Sequence, residues 1–272
     1  MNKRISIASL LLLPLSPLGV SAAIDSDWPQ LVPMGKYMRA AKTVGPVQID
    51  VDKIQVFASH KDGATDAQWD ISLEDGKATV HSRSGQQGSY HWVMAEEVKG
   101  NDTVVASSVV AFSNPGPNPQ SMLMAQKSEL EIIPLKLPRE HSDYRATESW
   151  PFMVRRNGQP LANAQVSMKT SQGTSQTYQT DSTGEFMVVF PDDFTEDEHA
   201  GHGHHGGRKK ANFVLGVKAH DGDRTLITAF NYRYRPAPLA DKNLPLGIGA
   251  FLLGMVAATP LLRRKKKARK AS

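Results

Sequence analysis

The run Phe152-Met153-Val154-Arg155-Arg156-Asn157-Gly158-Gln159-Pro160-Leu161-Ala162-Asn163-Ala164-Gln165-Val166 decides the fold class. An extended apolar segment ends at Arg156, and Asn157-Gly158 then offers the two positive-φ positions of a type I′ turn, so the run reads as a β-hairpin. Working outward, short runs rich in Val, Ile, Thr and aromatic residues recur at 129–136, 148–155, 164–170, 175–180, 185–190, 212–220 and 224–234. Asp181-Ser182-Thr183-Gly184 and Asp221-Gly222-Asp223 supply further turns between them. Seven strands of this kind across 129–235 predict an immunoglobulin-like β-sandwich. The chain has no cysteine, so that sandwich must hold by packing alone.

Toward the amino terminus the same pattern predicts strands at 47–59, 67–73, 77–82, 88–96 and 103–112, a first β domain covering 23–113. Asn114-Pro115-Gly116-Pro117-Asn118-Pro119 excludes both helix and central strand, so 114–128 reads as a Pro-rich linker and a domain boundary. The fold class is therefore all-β: two small domains, the second immunoglobulin-like.

Both ends carry addresses. Residues 1–22 combine Lys3 and Arg4, an apolar core and the small residues Ser21 and Ala22, which is the make-up of a signal peptide cleaved after Ala22. Residues 244–262 hold no charge, and as a helix would span about 28 Å, close to the thickness of a bilayer core. Seven of the last ten residues are basic, so the positive-inside rule places 263–272 in the cytoplasm. The chain is then expected on the periplasmic face of the inner membrane, crossing once. The competing reading makes this end a sorting tail that is cut off after translocation.

The net charge of +5 would suggest nucleic acid if it were evenly spread. It is not. Nine of the 32 basic residues lie at the two ends, leaving 23 against 27 acidic residues in between, so the folded part is mildly acidic and nucleic acid is not an expected partner. The chain contains no Gly-x-Ser-x-Gly, phosphate loop, dinucleotide fingerprint or His-Glu-x-x-His, and no enzymatic activity is expected.

One constellation carries chemistry. In Glu196-Asp197-Glu198-His199-Ala200-Gly201-His202-Gly203-His204-His205-Gly206-Gly207, four of the nine histidines fall within seven residues. Neutral imidazole suits Ni, Co, Zn and Cu, and glycines between the histidines let several rings converge on one ion. The expected ligands are His199, His202, His204 and His205, with Asp197 and Glu198 as auxiliaries, binding a divalent transition metal weakly. Ordering five loop residues costs about 5–10 kcal/mol, which points to roughly micromolar affinity. Met122-Leu123-Met124 is read as packing between domains in preference to a copper(I) site, and His91 as a surface or core residue.

Leu130-Glu131-Ile132-Ile133-Pro134-Leu135, the hairpin run quoted first, and Thr180-Asp181-Ser182-Thr183-Gly184-Glu185-Phe186 together resemble the periplasmic domain-of-unknown-function family 4198. The resemblance covers about 129–234. It implies a periplasmic immunoglobulin-like component of nickel or cobalt uptake, with a metal transporter or an outer-membrane metal receptor system as partner. Members often carry a His shortly before an amino-terminal Trp; this chain keeps Trp28 and lacks that His. The alternative function is an envelope interaction module without a metal role, docking by a sheet edge.

Overall fold

The computed structural model describes residues 23–34, 40–60, 67–82, 87–112, 117–138, 143–195 and 209–237. Its elements are β1 (Gln30–Met34), β2 (Ala41–Val47), β3 (Lys53–His60), β4 (Ala67–Ser72), β5 (Ala78–His81), β6 (Gln87–Lys99), β7 (Asp102–Ala111), α1 (Gln120–Met124), β8 (Leu130–Pro134), β9 (Tyr144–Arg145), β10 (Ser149–Arg156), β11 (Gln159–Pro160), β12 (Gln165–Thr170), β13 (Ser175–Gln179), β14 (Glu185–Val189), β15 (Ala211–Asp221) and β16 (Arg224–Arg235). Among the described residues the protein is β-sheet with one short helix. The predicted hairpin is present: Arg156 faces Gln159 across Asn157 and Gly158, whose φ angles of 50° and 75° lie in the left-handed region.

The carboxy-terminal half folds as two sheets. β8 and β14 flank β10 in one; β13, β12, β15 and β16 follow in that order in the other. Leaving aside the two-residue strands β9 and β11, this divides seven strands as immunoglobulin-type sandwiches do, with the fourth strand beside the third. Alternation explains the core. Phe152 and Val154 on β10, Phe186 and Val188 on β14, and Phe213, Leu215 and Val217 on β15 point inward and are buried, while Met187 and Val189 face out.

The amino-terminal half does not stand apart from this sandwich. β16 pairs in parallel with β7, from Leu226 opposite Thr103 to Phe230 opposite Ser107, so β4-β3-β6-β7 continues the sheet of β16. Ser107 Oγ donates to Ala229 O (3.0 Å) and Ser108 Oγ to Asn231 O (2.7 Å) across the seam. One face of this half, carrying Trp92, Met94 and Val105, joins the main core together with Met122 and Leu123 of α1. On the opposite face Val56, Val93, Ala106 and Val110 pack with Leu31, Val44 and Val80 of the sheet β1-β2-β5.

Residues 23–34 seal the back of β15 and β16, where Ile24 and Trp28 pack with Val214 and Ala229. Gly216 makes the notch for the indole: a Cβ there would lie 2.1 Å from Trp28 Cδ2. The Asn231 side chain then behaves like a strand backbone, accepting from Leu31 N and donating to Leu31 O, both at 2.8 Å.

One predicted strand changes its bounds. The strand expected at 47–59 begins only at Lys53, because β2 ends at Val47 and Gln48 then turns the chain with φ 59°. β2 contains Gly45 and Pro46, which read as breakers in the sequence; β5 pairs with β2 only as far as Val44, so Pro46 lies where β2 has no ladder to that neighbour. Within 117–128 the chain is clamped. Arg155 Nε donates to Glu131 Oε2 (2.7 Å), while Nη1 and Nη2 donate to Met124 O and Ala125 O (2.6 Å each). Lys127 N donates to Glu131 Oε1 (3.0 Å), and its ammonium stands 4.9 Å from the centre of the Trp92 ring.

No helix among the described residues is long and apolar enough to cross a membrane. The expected signal peptide at 1–22, the apolar stretch at 244–262 and the basic tail at 263–272 lie outside the described residues.

Two buried phenols give the fold a pH limit. Burial holds the Tyr144 hydroxyl well above the usual tyrosine value of 10.0, with Tyr232 and Tyr90 adding to it. Burial and the Asp193 carboxylate hold Tyr234 above that value too. A folded-state pKa raised above the unfolded one contributes stability that is complete below the unfolded pKa and is lost as pH rises beyond it. Unfolding free energy is therefore expected to fall above pH 10, and absorbance at 295 nm should show these two tyrosines ionising only as the chain unfolds. Ionisation of all tyrosines within the folded protein would contradict this.

Candidate functional site

The histidine-rich segment joins β14 to β15, and its flanks are built from the sandwich. Leaving β14, the inward alternation continues through Phe190, which stacks with Tyr144 (5.0 Å between centroids) and Tyr234 (5.5 Å). Phe194 turns back into the core and meets Tyr234 edge-on at 5.3 Å. Between these two rings, Asp193 is held by three hydroxyls. Oδ2 accepts from Thr170 Oγ1 (3.1 Å) and Thr174 Oγ1 (2.7 Å), and Oδ1 accepts from Tyr234 OH (2.6 Å). Hydrogen bonds to a charged acceptor are the stronger kind, so this end of the segment is firmly anchored.

The returning end is anchored by charge. Asp143 is 2% exposed, and its Oδ2 pairs with Lys210 (2.9 Å) while its Oδ1 accepts from Arg233 Nε. One buried carboxylate thus ties the chain just before β15 to β16, next to Tyr144 of β9, which runs parallel to the end of β16. Ser171 Oγ accepts from Asn212 N (3.0 Å), and Ser171 N donates to Asn212 O (2.9 Å), joining the β12–β13 turn to the same strand start.

His199, His202, His204, His205, Asp197 and Glu198 all lie outside the described residues. Among the described residues no group of three or more His, Asp or Glu side chains is placed to hold a metal ion. Asp193, upstream of these residues, serves as the anchor of the segment, with both carboxylate oxygens accepting from hydroxyls. His91 is buried on β6, edge-on to Trp69 (5.8 Å) and Phe112 (4.9 Å). Met122 is fully buried and Met124 packs against the same core.

Sequence reasoning missed Asp143 and the Thr170–Thr174–Tyr234 set. Asp143 gives no local signal, since its partner Arg233 is 90 residues away. In Asp192-Asp193-Phe194-Thr195-Glu196-Asp197-Glu198, Asp193 reads as one more acid among several.

No family model matches the chain. No curated protein matches it. Among solved structures, a two-domain fibronectin type III segment of chicken tenascin is similar at 9% identity, over 76% of this chain and 98% of that one, with a TM-score of 0.23. A calcium-stabilised adhesin with which an Antarctic bacterium binds ice matches at 11% identity, over 73% of this chain and 44% of the adhesin, with a TM-score of 0.27. A tetra-tandem repeat from the extending region of a large adhesion protein matches at 10% identity, over 72% and 45%, with a TM-score of 0.25. The chain thus spans less than half the length of either adhesion structure.

Proposed function

We propose that this is a binding protein of the cell envelope that captures a divalent transition metal, nickel or cobalt before zinc or copper, and assists its uptake. His199, His202, His204 and His205 are the ligands, with Asp197 and Glu198 in support. The chain is held at the periplasmic face of the inner membrane by residues 244–262 and hands the ion to a transporter or receptor system. The observation that carries this reading is the pairing of a ligand-rich segment with two fixed flanks, Asp193 on one side and the Lys210–Asp143–Arg233 set on the other. Fixed flanks limit the ordering cost of binding to the segment itself.

The test is calorimetric titration of the full chain with Ni, Co, Zn and Cu, beside a variant with all four histidines replaced by alanine. The variant is expected to bind at least about tenfold more weakly, while its thermal midpoint is unchanged. Binding should also weaken below about pH 6, where imidazoles protonate. Equal affinity in the two proteins overturns the reading.

A second reading rests on Met187 and Val189, 51% and 46% exposed on the outer face of β14. Apolar residues displayed on an outer strand suit contact with a partner protein. In that case Met187→Asp abolishes function in cells while the histidine variant keeps it.

A further inference from the structure

The long sheet ends at β13, which pairs with β12 and, among the described residues, with no other strand. Thr170 N donates to Thr174 O (2.9 Å) and Thr180 N to Ala164 O (3.0 Å), which fixes the phase of the ladder. Opposed residues in an antiparallel pair alternate between bonded and non-bonded, so Gln176 and Tyr178 exchange their bonds with β12. The backbone N–H and C=O groups of Ser175, Thr177 and Gln179 therefore point away from β12, along the open edge.

Exposed edges are normally blunted by charge, proline, a bulge or a covering segment. The other end of the long sheet follows that rule, since β4 carries Asp70, ion-paired to Lys53 of β3. In the facing sheet, Asp181 N donates to Glu185 O (2.9 Å) and Glu185 N to Asp181 Oδ1 (3.0 Å), which closes the start of β14. β13 has none of these devices. Ser175-Gln176-Thr177-Tyr178-Gln179 holds no charge and no proline, and its register with β12 is unbroken.

We infer that β13 is a self-association edge, pairing antiparallel with β13 of a second copy of this chain about a two-fold axis at Thr177. That register sets Thr177 opposite Thr177 and Ser175 opposite Gln179, and each of these residues exchanges both its backbone groups with the other copy. Their side chains are the exposed ones of the strand, so hydroxyls and amides meet on that face. Thr–Thr pairs are among the favourable cross-strand combinations. Charge selects the direction. Lys169 of β12 lies opposite Ser175 at one end of β13, and the exposed Asp181 follows the other end. Antiparallel pairing brings the lysine end of one copy beside the aspartate end of the other, whereas parallel pairing would set like charges together. A contact confined to one short strand belongs to the weak, transient class. It uses no residue of the histidine segment and stands apart from the metal reading.

The chain has no cysteine, so single introduced cysteines report the contact. Residues that exchange bonds across an antiparallel pair have Cα atoms about 5.5 Å apart, within the span of a disulfide. With the full chain in detergent and diamide as oxidant, Thr177→Cys is expected to form a linked dimer at least about tenfold faster than Ser175→Cys. Ser175→Cys mixed with Gln179→Cys should link, although neither does so alone. Thr177→Pro removes a donor that β12 does not use, so it should abolish self-association in sedimentation while the sandwich stays folded. Should that variant fail to fold, Thr177→Lys, which sets two ammonium groups opposite each other, should weaken self-association about threefold or more. Linking by Ser175→Cys as fast as by Thr177→Cys overturns the assignment. So does a chain that stays monomeric at the highest attainable concentration, as it would if this edge were bare or kept for a different protein.

Discussion

Replacing Arg155 with alanine is expected to lower the unfolding free energy by about 3–5 kcal/mol, because it strands a buried carboxylate. Glu131 is 3% exposed and its Oε2 loses the Arg155 Nε–H that faces it at 2.7 Å. Met124 O and Ala125 O lose their donors at the same time, so the stretch between α1 and β8 is released from the outer face of β10. Urea unfolding measures the loss. The double variant Arg155→Met with Glu131→Met removes both charges and should recover part of the stability, though not all of it, since the two carbonyls remain without the guanidinium. An Arg155→Ala unfolding curve that overlays the wild type would show that this clamp contributes nothing.

The other large effect is expected at Tyr144. Its ring is fully buried and meets Trp150 at 4.9 Å, Phe190 at 5.0 Å, Phe213 at 5.6 Å, Phe152 at 5.8 Å and Tyr232 at 5.9 Å. Truncation to alanine leaves a cavity among aromatic residues and should cost about 3–5 kcal/mol. Tyr144→Phe keeps the ring and loses only the long bond from the hydroxyl to Lys136 O (3.4 Å), so it should cost less than about 1 kcal/mol. Because Tyr144 adjoins Asp143, Tyr144→Ala should also loosen the start of β15, read as faster amide hydrogen exchange at Ala211 and Phe213. Equal destabilisation by the Ala and Phe variants would place the effect in the hydroxyl and not in the packing.

The strands of the carboxy-terminal half were legible because each ends in chemistry that acts over two to four residues. Asn157-Gly158 and Asp181-Ser182-Thr183-Gly184 mark turns wherever they occur, and in the second of these Asp181 Oδ1 accepts from Thr183 N, Thr183 Oγ1 and Glu185 N. Alternation then assigns the inward faces of β10 and β14. The parallel seam between β7 and β16 was not legible, since neither strand carries a mark of its distant neighbour. The same is true of the pairing of the Asn231 side chain with Leu31. For the candidate site, the histidines and glycines are plain in the sequence, whereas the groups that hold its flanks come from β12, β16 and the start of β9. Only folding brings those together.

The seam between β7 and β16 also bears on the order in which the protein can be completed. β16 is the last described strand, yet it sits inside the long sheet, between β15 and β7. Ser107 waits 122 residues for Ala229, and Leu31 waits 200 residues for Asn231. Contacts so far apart along the chain close slowly, and until β16 arrives one edge of β7 stays open. The long sheet therefore cannot close before residues 224–235 have been made, and the amino-terminal half has to wait for them.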